Sequence, residues 1–185
     1  MAGRNPREAA GRFLAPIARA LACVTPTRPI ATGHAAGCAG VLTFPAGGAV
    51  TLGPRRLRFG VTMRYTIERT ADPHDPRGPW KVRTLGYAYT LDAATGPELL
   101  AYHWHPDQPE GRRLVAFPHV HVRAIKDGAD RRLCVAHLPT GRIALEDVLE
   151  LLLGDFKVRR LRGDWRQVLG ETRAAFMRYR TWPRS

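Results

Sequence analysis

Leu57-Arg58-Phe59-Gly60-Val61-Thr62-Met63-Arg64-Tyr65-Thr66-Ile67 is the cleanest alternation of side-chain character in the chain. Successive strand side chains point to opposite faces, so Leu57, Phe59, Val61, Met63, Tyr65 and Ile67 share one face. Arg58, Thr62, Arg64 and Thr66 share the other. The pattern predicts a half-buried strand with one apolar face and one wet, basic face, and hence a sheet covered on one side only.

The stretches that follow extend this sheet. Trp80 to Asp92 reads as a strand with Leu85, Tyr87, Tyr89 and Leu91 on one face. Ala93 to Pro97 is a hairpin loop into Leu99-Leu100-Ala101-Tyr102-His103-Trp104-His105. A second histidine-bearing run, Phe117-Pro118-His119-Val120-His121-Val122-Arg123, follows it. Each run carries His-x-His in an apolar or aromatic setting, so His103 pairs with His105 on one face, and His119 with His121. The hairpin register decides which face. One register sets Leu100, Tyr102 and Trp104 beside Leu85, Tyr87 and Tyr89, and a one-residue slip sets the histidines there instead. Burying imidazoles without partners costs more than burying Tyr and Trp, whose polar tips find partners. The first register is therefore expected, with His103 and His105 on the wet face beside Arg58 and Arg64. The same logic turns His119, His121 and Arg123 outward.

The flanks supply helices. Asn5-Pro6-Arg7-Glu8 has the form of a helix start, with Asn5 as cap and Glu8 reaching back to the Asn5 N–H. Ala10, Phe13, Leu14, Ile17, Ala18 and Leu21 make one apolar stripe, which predicts a helix over 6–22. Residues 24–40 read as a loop, residues 41–53 as weakly strand-like, and Arg132 to His137 as a last strand. His34 and His74 read as loop side chains. Leu145, Val148, Leu149 and Leu152 form the buried stripe of a further helix that Gly154 ends. Asp164 and Gln167 offer a capping pair for the final helix, which runs to about 181. The expected architecture is α+β in a single domain over 1–185. A mostly antiparallel sheet within 41–137 has one face covered by the N-terminal helix and two C-terminal helices within 143–181.

The bulk composition narrows the partners. Against 16 acidic residues stand 29 Lys and Arg, giving a net charge of +13, and nearly all of the cations are arginine. The guanidinium fork suits phosphate oxygens, so a polyanion is a plausible partner. Arg58, Arg64, Arg159, Arg160, Arg162 and Arg166 are the candidate phosphate contacts. For the last four, a merely solvated helical face competes with that reading. Cys23, Cys38 and Cys134 are odd in number and widely spaced, as expected of reduced thiols in a cytoplasm. No apolar run reaches the length of a membrane span. There is no GxxxxGK[ST] loop, no G-x-S-x-G elbow and no HExxH. His119-Val120-His121-Val122-Arg123 has the start of a histidine-triad run, but Arg123 occupies the place of the third histidine.

The order of these features resembles the TumE-type toxins of bacterial toxin–antitoxin modules. The resemblance lies in an aromatic strand ending in histidines, then Phe117-Pro118-His119-Val120-His121, a strand, Pro139-Thr140-Gly141 and a Leu/Glu-rich helix. It spans about residues 80–153 and implies a cytoplasmic toxin, a cognate antitoxin protein as partner, and RNA as target. From the residues, the corresponding chemistry is metal-independent RNA cleavage. His119 or His121 would take the ribose 2′-hydroxyl proton, His103 or His105 would protonate the leaving oxygen, and Arg64 or Arg123 would stabilise the phosphate charge. Such a site needs no cofactor. The alternative is a metal site in which His103, His105, His119 and His121 hold zinc, nickel or iron, with Asp107 or Glu110 nearby. A non-catalytic module that binds nucleic acid or an acidic antitoxin is the third possibility.

Overall fold

Asn5 starts the first helix as its sequence requires. The Asn5 side chain accepts the Glu8 N–H at 2.9 Å, and Pro6 occupies the first turn of α1 (Pro6–Leu21). The Glu8 carboxylate does not reach the Asn5 N–H. It accepts from the Arg4 N–H at 2.8 Å and from Arg4 Nε at 3.1 Å, a two-point contact that a single backbone bond to Asn5 does not match. These positions come from a computed structural model, which describes residues 2–54, 56–71, 76–107, 109–110, 113–123 and 135–179. His74 and residues 132–134, 180 and 181 of the predicted elements lie outside the described residues.

Among the described residues the protein is α+β, an open antiparallel sheet of nine strands with three helices. The strands are β1 (Ala2–Gly3), β2 (Ile30–Ala31), β3 (Ala39–Thr43), β4 (Ala49–Leu52), β5 (Leu57–Arg69), β6 (Trp80–Asp92), β7 (Glu98–Trp104), β10 (His119–Val122) and β11 (Leu138–Pro139). Between β7 and β10 a separate ribbon pairs β8 (Pro109–Glu110) with β9 (Arg113–Leu114). The sheet order is β11-β10-β7-β6-β5-β3-β2, with β1 added to β6 and β4 to β5. No helix among the described residues is long and apolar enough to cross a membrane.

The long alternating strand behaves as its pattern dictates. Leu57, Phe59, Val61, Met63, Tyr65 and Ile67 are all buried, in one core with Tyr87, Tyr89, Leu91 and Trp104. Against this face pack α1, α2 (Leu145–Gly154) and α3 (Trp165–Tyr179), through Leu21, Leu149, Leu152, Val168 and Leu169. Helix α2 is tied to the sheet at its start, where the Tyr87 hydroxyl accepts the Ile143 N–H at 2.9 Å. The Asp147 carboxylate accepts the Ala144 N–H at 3.0 Å, doing from inside the helix what an alanine side chain cannot.

Several sequence expectations are corrected. Leu85 does not share the face of Tyr87 and Tyr89, because the β5–β6 ladder shifts register there. Arg64 pairs with Gly86, and Tyr65 with Thr84. The bulge leaves Leu85 outside the core and keeps Thr84 under the helices, beside Phe13 and Met63. Residues 24–40 are not wholly loop, since β2 pairs Ile30 with Thr43. The return is pinned by the Tyr65 hydroxyl, which donates to the Thr32 carbonyl at 2.6 Å. It also needs Gly40, where a Cβ would come within 2.6 Å of the Tyr65 ring. The last strand is Leu138–Pro139, paired with His119 and Val120, rather than a segment ending at His137. Pro139 lacks an N–H and suits this sheet edge, and the Thr140 N–H donates to the Pro118 carbonyl at 2.8 Å to hold the edge in place. The Asp164–Gln167 pair does not form. Arg162 takes both Asp164 carboxylate oxygens at 2.9 and 2.7 Å, and Gln167 donates to Glu171 at 2.9 Å.

Candidate metal centre

The β6–β7 hairpin sets Tyr87 opposite Trp104, Ala88 opposite His103, and Tyr89 opposite Tyr102. Trp104 thereby joins the helix-covered core at 6% exposure, with the Arg142 guanidinium 3.4 Å from its ring centre. His103 and His105 are left on the opposite face. Strand β10 then pairs His119 with His103 and His121 with Ala101. His119 and His121 therefore share the face of His103, and the small Ala101 opposite His121 leaves room for its ring.

This face is not wet at its centre. His119 is 0% and His121 3% exposed, while His103 and His105 are half-buried. The expectation of outward, solvated imidazoles fails because the rings cover one another. The centroids of His103 lie 5.5 Å from His119 and 5.3 Å from His121, and those of His119 and His121 lie 5.0 Å apart, in edge-to-face arrangements. His105 adds contacts of 5.6 Å to both His103 and His119.

A fifth histidine joins the cluster, and sequence reading did not place it there. His137 lies 4.8 Å from His119 and 4.6 Å from His121 by ring centroid. No local sequence signal marks it, and it is carried in by the next residue, Leu138, which pairs with Val120. The five imidazoles form two groups with ligand nitrogens within 4.8 Å of one another: His103, His105 and His119, and then His119, His121 and His137. His119 belongs to both. Its Nδ1 is 3.0 Å from the Phe117 carbonyl. A carbonyl only accepts, so in the neutral ring Nδ1 carries the proton and Nε2 presents the lone pair. A ligating histidine held by a backbone carbonyl is the usual outer-shell arrangement of metal sites. Held in this way, His119 has only Nε2 to offer, so it can ligate one ion in either group at a time. Zinc–imidazole bonds of about 2.0–2.1 Å imply nitrogens about 3.3 Å apart. The nitrogens of each group lie within 4.8 Å of one another, so binding would draw them closer by up to about 1.5 Å.

The remaining candidates scatter. Arg123 is at the edge of the site, but its Nε is 3.2 Å from the Glu98 carboxylate, so its charge is already matched. Arg64 lines a pocket on the histidine face with Thr62, Gly86, Ala88 and His105. Arg58 is exposed two residues after Arg56, in the β5 segment that pairs with β4 and with Asp92. Arg159, Arg160, Arg162 and Arg166 are exposed in the helical layer, on the other side of the sheet. Arg162 pairs there with Asp164, and Arg166 lies 4.3 Å over the Trp165 ring. The sheet separates these four arginines from the histidines, so they do not form a phosphate rim around them. Asp107 is exposed and belongs to neither imidazole group, and the Glu110 side chain lies outside the described residues. Cys23 is buried in the helical layer, where burial raises its thiol pKa, and Cys38 is exposed. Among the described residues the donor set at the site is therefore all imidazole.

No family model matches the chain, and neither a curated protein nor a solved structure is found to be similar to it.

Proposed function

We propose that this protein binds one divalent transition-metal ion through its histidine centre, with His119 as the ligand common to both halves. The observation that carries this reading is the convergence of five imidazoles, whose nitrogens fall within 4.8 Å in each of two groups sharing His119. Imidazole donors suit zinc, copper, nickel and iron, and a site whose grouped side-chain donors are imidazoles, among the described residues, disfavours magnesium and calcium. Three ligands from either group leave coordination positions open. An ion held in that way can polarise a bound oxygen or lower the pKa of a bound water, which makes a Lewis-acid enzyme one use of the centre.

Burial weighs against the metal-independent alternative. A histidine that takes the ribose 2′-hydroxyl proton must come within hydrogen-bond reach of it, and His119 and His121 at 0% and 3% exposure present no surface for that contact. The test is a titration of protein prepared without a histidine tag, using Zn(II) and Co(II). Saturation at one equivalent is expected, with loss of binding by a hundredfold or more in His119→Ala. His119→Gln keeps the side-chain volume and separates ligand loss from a collapsed core. Equal binding in the wild type and both variants, or none in any, contradicts the proposal.

A second reading, an RNA-cleaving toxin held in check by an antitoxin in the cytoplasm, is supported by the motif order and by Arg64 in the same pocket as the half-buried His105. It predicts RNA cleavage that survives a strong chelator, has a bell-shaped pH profile and weakens with salt. Cleavage abolished by the chelator assigns the activity to the metal centre instead.

A further inference from the structure

Resting on the metal reading, we propose that the trough beside the centre binds a small oxyanion, a carboxylate or a phosphate, held by Arg64 and directed at the open side of the ion through His105. The floor of the trough follows from the ladder. On β6, Gly86 and Ala88 face this side and stand opposite Arg64 and Thr62 of β5. On the other flank Ala88 stands opposite His103, with His105 two residues further on. Arginine and threonine thus form one wall and the metal-ligating histidines the other, two strand spacings or about 10 Å apart. Only a methyl group and a hydrogen lie between them. The lining of the resulting pocket is Thr62, Arg64, Gly86, Tyr87, Ala88, Trp104 and His105.

Among the described residues, three other cations of this face are matched by acids and Arg64 is not. Lys81 and Arg83 both engage Glu68, at 3.4 and 2.9 Å, and Arg123 engages Glu98 at 3.2 Å. Among the described residues no carboxylate pairs with Arg64, which is half-buried in the pocket wall. A planar guanidinium in that position recognises a two-oxygen anion face bidentately, and the Thr62 hydroxyl adds a donor. A phosphate seated there has a further oxygen on the His105 side, and a carboxylate a free lone pair of an oxygen already held by Arg64, where a group using His103, His105 and His119 leaves the ion open. Gly86 is fixed by a different need. A Cβ there would lie 2.6 Å from the Trp104 carbonyl oxygen, so substituting it would disturb the hairpin as well as the pocket.

The experiment follows the visible spectrum of the Co(II)-loaded, tag-free protein during titration with acetate in one arm and inorganic phosphate in the other. The expected result is a saturable spectral change with at least one anion. The arm that saturates at lower concentration identifies the carboxylate or the phosphate as the natural chemistry. Arg64→Met should weaken the anion by about tenfold or more, as loss of a charge-assisted hydrogen-bond pair does. Ala88→Leu, which fills the floor, should abolish the response. Cobalt affinity should stay unchanged in both variants. A cobalt-bound protein that shows no anion response, or the same response in Arg64→Met and Ala88→Leu, overturns the trough while leaving the metal site intact. If cobalt does not bind at all, the metal reading fails separately. The His105 ring resonances of the metal-free protein then decide the trough: anion-dependent shifts lost in Arg64→Met retain it, and their absence removes it.

Discussion

The two faces of one sheet are built from the same strands by opposite means. On the covered face, Phe59, Tyr65, Tyr89 and Trp104 are buried against three helices, and apolar area removed from water holds them there. On the other face, β7 and β10 bury imidazoles against one another, where apolar area contributes little and nitrogen lone pairs converge. The offset between the two is one residue. Trp104 and His103 are neighbours in sequence and lie on opposite sides of the sheet. Register, rather than composition, separates a folding core from a candidate ligand shell in this chain.

The largest expected effect breaks the covered face. Phe59 is 0% exposed in the core, and Phe59→Ala should cost about 3–5 kcal/mol, read as a lowered denaturant midpoint. If the two faces are separable, the variant should still bind metal with wild-type affinity under conditions where it is folded. A metal affinity that falls in step with stability would show that the faces are one unit.

A smaller effect sharpens the boundary between sheet and helix. Burial pushes the Tyr87 hydroxyl up to about 12, so at neutral pH it stays protonated while accepting the Ile143 N–H. Tyr87→Phe removes that acceptor and should cost about 1–3 kcal/mol in chemical denaturation. Amide exchange should accelerate at the start of α2 and remain unchanged at β10. Uniform acceleration would mean that the hydroxyl holds the whole sheet.

The smallest effect is a pH dependence confined to the covered face. Burial, the largest influence, raises the Glu146 carboxyl above its ordinary value, against the opposing pull of hydrogen bonds from its own backbone and Thr172 and of the nearby Arg173. The native state therefore holds this proton more tightly than the unfolded chain. Its contribution to stability is present at acid pH and is lost as pH rises from the ordinary carboxyl range through the raised value. Glu146→Gln cannot ionise, so its melting temperature relative to the wild type should be higher at pH 7 than at pH 4. A difference that is flat across that range would remove the buried carboxyl from the account.

Much of the covered face was legible because its signals are local. The alternation over Leu57–Ile67, the bounds of β6 and the Asn5 cap each depend on residues close in sequence. The histidine face was legible only as two pairs. His137 arrives from a segment without strand periodicity, and nothing local marks it as the partner of His119 and His121. The burial of the imidazoles was also hidden, since each ring is covered by rings from other strands. Leu85 misled because its alternation is unbroken. The register shift arises where Gly86 lets the Trp104 carbonyl approach, a contact made across the hairpin. The net charge pointed to arginines that the fold then divided between two sides of the sheet.

X-ray absorption at the metal edge of the zinc-loaded, tag-free protein reads the ligand shell of the histidine centre itself. One ion per chain is expected, with three or more imidazole nitrogens at about 2.0–2.1 Å and no sulfur shell, and His119→Gln should lose that signature. A loaded ion with fewer than two imidazoles, or a spectrum that His119→Gln leaves unchanged, would contradict a histidine metal centre.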